Sequence, residues 1–286
     1  MLDSRQLCLA AFLPLNLPFR TAKMDSIKIV NDLVYDLNHN LKLDLYNPIN
    51  TPRGVIMVIH GGGWFQGDKS KDADIATLLA TAGYLIIVPN YRLAPEFHYP
   101  APLEDMDLLI KWYKSSPYFL KTTKMGIFGS SAGGNIAIET GLKYGLPVVS
   151  RSGVIDIDIW MELHLDVKAS KEAARDGGIQ SGKNDALYKW AILNYTAGDP
   201  EKIKMASLLN KVSSKAGPML LVNSLNEFCP VDAVYSLSEK LINKAGVDSC
   251  IQLIPGTKHA KGYLDKALPF TLDFYQLCFS SNRKEN

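Results

Sequence analysis

A serine flanked by small residues is the first feature of this sequence that could carry chemistry. The run from Gly129 to Gly133 reads Gly-Ser-Ser-Ala-Gly, with Ser131 at its centre, between the apolar stretches 125–128 and 135–138. A G-x-S-x-G run between a strand and a helix makes a sharp turn that exposes the serine hydroxyl. Small neighbours let two backbones pass closely. The pattern predicts that Ser131 is a nucleophile, although alone it also fits a serine- and glycine-rich loop.

A serine hydroxyl attacks only when a neighbouring base accepts its proton, and five histidines are available. They are His39, His60, His98, His164 and His259. In this strand–turn–helix arrangement the base follows the serine in the chain, which excludes the first three. His164 lies on a helical stretch before the last strand, whereas His259 lies in a turn just after it. We therefore predict that His259 is the base.

An acidic side chain must orient that imidazole and stabilise the imidazolium formed during the reaction. The loop after the predicted strand 218–223 offers Glu227 and Asp232. Asp232 falls in the first turn of a predicted helix, where the helix dipole alone explains a carboxylate. The spacing favours Glu227 as the acid, with Asp232 as the alternative.

A glycine-rich turn supplies the fourth requirement, which is a set of donors for an oxyanion. His60-Gly61-Gly62-Gly63-Trp64 follows a buried strand, and its glycines allow backbone N–H groups to point into a site. The N–H groups of Gly62, Gly63 and Ala132 are the predicted oxyanion hole. A phosphate-binding loop would need lysine and Ser/Thr after the last glycine, and Trp64-Phe65 provides neither.

The elements that must position these residues alternate between strands and helices. A hairpin is predicted at 26–45, and the chain then supplies buried strands at 54–59, 84–88, 125–128, 147–150, 218–223 and 249–254. Helical patterns separate them at 72–82, 103–113, 135–144 and 231–245, and another at 262–277 closes the chain. The alternation predicts an α/β fold with a mostly parallel central sheet and helices on both faces.

The segment 157–212 interrupts this alternation. It carries helical patterns at 160–174 and 185–195 and no clear central strand. We predict that it is a helical lid inserted over the C-terminal edge of the sheet.

Together these motifs resemble the α/β-hydrolase family, and within it the hormone-sensitive-lipase-like esterases. The resemblance covers about residues 50–275 and rests on the motifs at 60–64, 91–105 and 129–135. It implies a triad of Ser131, Glu227 and His259, oxyanion donors at Gly62, Gly63 and Ala132, and no metal or cofactor. The sequence departs from the family pattern at Glu227, where the family usually has Asp, at Ser130, and at the pair after His259.

The predicted function is that of a serine carboxylesterase acting on small apolar or aryl esters through an acyl-enzyme. Five aromatic residues are expected to line the substrate pocket, and these are Trp64, Phe65, Tyr91, Phe97 and Trp160. Two alternatives remain open at this point. One is an amidase of the arylformamidase type, and the other is a catalytically silent ligand-binding protein on the same scaffold.

Composition limits the remaining options. The 286 residues are 47% hydrophobic with a net charge of +2, which predicts a large core and argues against a nucleic-acid partner. No apolar run is long enough for a membrane span. The four cysteines are far apart, which favours reduced thiols and a cytoplasmic location. Residues 1–23 are predicted to be an N-terminal extension, and the alternatives are a weak secretory signal or a natural start at Met24. Residues 24–286 are predicted to form one domain. A homodimer of this domain is an open option.

Overall fold

The computed structural model describes residues 27–121, 124–173, 184–227 and 229–280. The predicted N-terminal extension 1–23 lies outside these residues, and so does the last residue of the predicted helix 160–174.

A mixed sheet forms the centre of the described chain. Its strands run in the order β1-β2-β4-β3-β5-β6-β7-β8, with β1 and β2 antiparallel to each other, β2 antiparallel to β4, and all other neighbours parallel. The strands are β1 Ile27–Asp36, β2 Leu41–Pro48, β3 Val55–Ile59, β4 Leu85–Pro89, β5 Met125–Ser130, β6 Val148–Arg151, β7 Met219–Ser224 and β8 Ser249–Ile254. The predicted hairpin and the mostly parallel sheet are both confirmed.

Helices connect the parallel strands, and a last helix follows β8. They are α1 Ala73–Thr81, α2 Ala101–Ser115, α3 Ala132–Tyr144, α4 Ile157–Leu163, α5 Asp185–Thr196, α6 Pro200–Ala206, α7 Val231–Lys240 and α8 Leu264–Ser280. A π-helical turn, Leu241–Ala245, continues α7, and Gly246 ends it with a φ of 69°. A short 3-10 helix, Ala260–Tyr263, precedes α8.

The alternation of side chains along each strand explains why both faces of the sheet carry helices. Met57 of β3 belongs to an apolar cluster with residues of α2, α3 and α7, whereas its neighbour Ile56 packs with residues of α1 and α8. Both side chains are fully buried. The strands are therefore apolar on both sides, as expected for a sheet between two helical layers.

The segment between β6 and β7 is helical where it is described. Within 157–173 and 184–212 the structure has α4, α5, α6 and the 3-10 turn Leu209–Lys211, and no strand. The predicted helix at 160–174 is shorter than expected, because α4 already ends at Leu163. Among all described helices, none combines the length and the apolar character needed to cross a membrane.

Candidate active site

Ser131 occupies a strained turn between β5 and α3. Its φ and ψ are 56° and −122°, a region that residues other than glycine rarely adopt. Its backbone N–H donates a 2.8 Å hydrogen bond to the carbonyl of Arg151 at the end of β6. Strain of this kind at a serine between strand and helix is the expected geometry of a nucleophile turn.

Two backbone segments touch around this serine. A Cβ added to Gly133 would lie 2.2 Å from the carbonyl oxygen of Ile59, and one added to Gly61 would lie 2.7 Å from that of Ser130. Larger residues at either glycine would separate the turn after β3 from the turn after β5. The contact brings all three predicted oxyanion donors to the cavity that Ser131 lines, and these are Gly62, Gly63 and Ala132.

His259 and Glu227 form a buried pair. Nδ1 of His259 is hydrogen-bonded to Oε2 of Glu227, and the two side chains are 5% and 0% exposed. The neutral imidazole that donates from Nδ1 keeps a lone pair on Nε2, which is the atom a base needs. His259 and Ser131 line the same cavity. Asp232, the alternative acid, lies instead in the first turn of α7 and is exposed to solvent.

Ser152, which directly follows β6, hydrogen-bonds to Glu227 of this pair and was not predicted as a site residue. It is fully buried with a φ of 49°. Its hydroxyl donates to Oε1 of Glu227 at 2.8 Å, accepts from the N–H of Ala260 at 2.9 Å and lies 2.6 Å from the hydroxyl of Tyr263. No motif marks an isolated serine, so only its place at the end of a parallel strand could have indicated it.

A cavity of about 430 Å³ extends from these groups. Trp64 and Phe65 line it, as predicted. The wall also contains residues that were not predicted, and they include Val154, Leu187, Tyr188, Ala191, Lys71, Lys171 and Lys261. Leu187, Tyr188 and Ala191 have the spacing of one helical face, and this pattern could have indicated that they lie together in the cavity wall.

The other three predicted pocket residues do not line this cavity. Tyr91 is buried, stacks on His60 with ring centroids 4.3 Å apart, and donates its hydroxyl to the His60 carbonyl. Phe97 packs under the guanidinium of Arg92. Trp160 is also buried and lies one layer behind the wall, with its ring centroid 4.5 Å from that of Tyr188. These aromatic side chains therefore support the site through packing.

The chain matches a known protein-family model. The BD-FAE family model matches residues 43–241, which is more than half of the chain. The chain belongs to the BD-FAE family. The match begins in β2 and ends just after α7, so it contains Ser131, the glycine-rich turn and Glu227, whereas His259 lies beyond the BD-FAE match.

Two relatives and one solved structure illustrate the similarity. The arylacetamide deacetylase of Oryctolagus cuniculus is 35% identical over 109 residues, covering 35% of this chain and 27% of that protein. The acetyl esterase of Salmonella schwarzengrund is 27% identical over 224 residues, covering 76% and 68%. The structure of an esterase from the bacterial hormone-sensitive lipase family superposes with a TM-score of 0.70 at 20% identity, over 90% of this chain and 86% of that one.

These similarities confirm the α/β-hydrolase fold, and one matched structure is that of an esterase from the hormone-sensitive lipase family, which the sequence motifs resemble. The chain spans only about a third of the length of the first curated relatives that it matches, at 27%, 36% and 30%.

Ser152→Ala tests whether the buried serine positions Glu227. We expect kcat for p-nitrophenyl acetate to fall by roughly 10- to 100-fold with little change in KM, because a hydrogen bond to a charged carboxylate is lost. Ser150→Ala is the matched control, since Ser150 is buried on β6 two residues before Ser152, and its hydroxyl has no hydrogen-bond partner among the described residues. Equal kcat losses in both variants, or an unchanged kcat in Ser152→Ala, would contradict the positioning role.

Burial of His60 should make the free energy of unfolding depend on pH. Burial lowers the pKa of His60 from its ordinary value of 6.5 to about 4, so between these values the unfolded chain binds the extra proton. Stability therefore falls as the pH drops through this window. Between about pH 7.5 and pH 5 we expect this one group to reduce the free energy of unfolding by about 2 kcal/mol. Urea unfolding of wild type and His60→Gln checks this, and an equal acid sensitivity of both would contradict it.

Proposed function

We propose that this protein is a carboxylic-ester hydrolase in which Ser131 is the nucleophile, His259 the base and Glu227 the acid that orients it. The observation that carries this proposal is the buried contact between Glu227 and His259 beside the cavity that Ser131 lines. Membership of the BD-FAE family and the esterase names among its relatives support the same activity.

The proposed reaction has two steps, which are acylation of Ser131 and hydrolysis of the acyl-enzyme. The Ser131 hydroxyl attacks the ester carbonyl while Nε2 of His259 takes its proton, and the carbonyl electrons move to the oxygen. Collapse of this intermediate breaks the bond to the alcohol, which leaves with the proton from His259. Water then repeats the attack on the acyl-enzyme, releasing the acid and restoring the serine.

The oxyanion is proposed to form against the N–H groups of Gly62, Gly63 and Ala132. Ala132 is the first residue of α3, so the positive end of that helix faces the developing charge. Gly62 has a φ of 135°, a conformation that glycine adopts without strain. Backbone donors held in this way need no rearrangement when the charge appears.

The proposed substrate is a small apolar or aryl ester. A cavity of about 430 Å³ with Trp64, Phe65, Val154 and Tyr188 in its wall suits an apolar acyl group of modest size. We further propose that segment 157–212 is the lid of this site, because α5 contributes part of the wall. One domain at 24–286 and a cytoplasmic homodimer remain predictions from the sequence.

The identity of the acid is tested by two substitutions that each remove one negative charge. Glu227→Gln should reduce kcat by roughly 10³- to 10⁴-fold, because the imidazole loses its orienting partner. Asp232→Asn should leave kcat nearly unchanged, since Asp232 is exposed on α7. Steady-state hydrolysis of p-nitrophenyl acetate measures both, with circular dichroism as a check on folding. The opposite pattern of losses would identify Asp232 as the acid.

The substrate class is tested by a series of p-nitrophenyl esters. We expect kcat/KM to be highest for short acyl chains and to fall by at least about tenfold for palmitate, because the cavity has room for few carbons. The decisive control is p-nitroacetanilide, which presents the same acyl group on an amide. The name of the arylacetamide deacetylase relative makes amide hydrolysis the second candidate function. Faster turnover of the anilide than of p-nitrophenyl acetate would favour it.

A further inference from the structure

A third buried side chain stands beside the Glu227–His259 pair. Ligand-type atoms of Glu227, Cys229 and His259 all lie within 4.8 Å of one another, and all three residues are buried. The thiol of Cys229 contacts the carbonyl oxygen of Ser152 at 3.2 Å, so it is directed toward the same serine that holds Glu227. The proposed hydrolysis uses the carboxylate and the imidazole but not the thiol.

This set of donors has the chemistry of a divalent-metal site. One carboxylate and one thiolate supply two negative charges, and a neutral imidazole supplies the third ligand, so a bound divalent cation would be neutralised without further ions. Sulfur and imidazole nitrogen select zinc-like cations over Mg²⁺ and Ca²⁺, which prefer oxygen. A site with three protein ligands leaves the fourth tetrahedral position to water.

We propose that Glu227, Cys229 and His259 form an inhibitory site for a thiophilic divalent cation of the Zn²⁺ and Cd²⁺ class. The inference rests on the proposed function, because inhibition requires that His259 is the base. It concerns regulation of that site and assigns the cation no part in ester hydrolysis.

The binding step balances without any oxidant or reductant. The S–H bond of Cys229 breaks as the metal–sulfur bond forms, and the proton passes to solvent. At His259 the metal binds Nδ1, so the single proton of the neutral imidazole moves to Nε2. An imidazole protonated at Nε2 cannot accept the proton of Ser131, and the esterase is switched off while the cation is bound.

Entry to the site is through the cavity. His259 lines the cavity wall, whereas Cys229 does not line it and is only 1% exposed. A cation must therefore pass the imidazole and separate it from Glu227 before it reaches the sulfur. Inhibition should consequently develop slowly rather than at once.

Cd²⁺ added to the purified full chain is the probe, with two independent readouts. Near-ultraviolet charge-transfer absorbance reports Cd²⁺–thiolate bonds, and p-nitrophenyl acetate hydrolysis reports activity. We expect a time-dependent loss of activity that EDTA reverses, with one thiolate-bound Cd²⁺ at Cys229 for each inactivated chain, whereas Mg²⁺ at the same concentration has no effect.

Cys229→Ser supplies the decisive comparison. It should hydrolyse the ester at a rate near that of wild type, lose the Cys229-dependent absorbance, and need at least about tenfold more Cd²⁺ for half-inhibition, a difference of about 1.4 kcal/mol in binding. Cys250→Ser, the same atomic change on β8 at a partly exposed position, is the matched control and should stay as sensitive as wild type. If Cys229→Ser folds poorly, Cys229→Ala replaces it.

The outcomes separate the two proposals. Two results would overturn the metal site and leave the esterase assignment intact. One is half-inhibition of Cys229→Ser at the same Cd²⁺ concentration as wild type. The other is a rise in the half-inhibitory concentration in Cys250→Ser as large as that in Cys229→Ser. A chain without esterase activity that still loses its Cd²⁺–thiolate absorbance in Cys229→Ser would overturn the proposed function and retain the cation site.

Discussion

The structure depends on a backbone-to-backbone contact between two turns. The glycine-rich turn after β3 and the turn that carries Ser131 after β5 approach so closely that a Cβ on Gly61 or Gly133 would collide with a carbonyl oxygen. Only glycine permits this approach, which brings the predicted oxyanion donors to the cavity that Ser131 lines. The positive φ of Ser131 is stable because the parallel neighbour β6 accepts its N–H.

Parallel strands explain how residues distant in sequence come to the same edge of the sheet as Ser131. β3, β5, β6, β7 and β8 are consecutive neighbours in the sheet, and each ends at the same edge. The glycine turn, Ser131, Ser152, Glu227 and His259 follow these five strands in that order. The site is thus assembled by topology, and the buried hydroxyl of Ser152 joins the last two strand ends by hydrogen-bonding both the carboxylate and the N–H of Ala260.

Local sequence patterns were sufficient to predict part of the fold and of the candidate site, but not all of the site residues. The fold class and the surroundings of Ser131 could be predicted, because both depend on local patterns. These patterns are the glycines at tight turns and the alternation of apolar residues along strands. The choice between Glu227 and Asp232 stayed open in the sequence, since it depends on which carboxylate is buried against His259. Tyr91 and Trp160 were misplaced because aromatic character does not distinguish a cavity wall from the layer behind it. Ser152 was missed because its partners come from three other segments.

The most direct measurement of the central claim is the site of reaction with a fluorophosphonate probe, which phosphonylates activated serines. Peptide mass spectrometry on wild type and on His259→Ala would locate the adduct and give its rate of formation. We expect one adduct, on Ser131, that forms much more slowly without the imidazole. An adduct on another residue, or labelling of Ser131 at the same rate in His259→Ala, would contradict it.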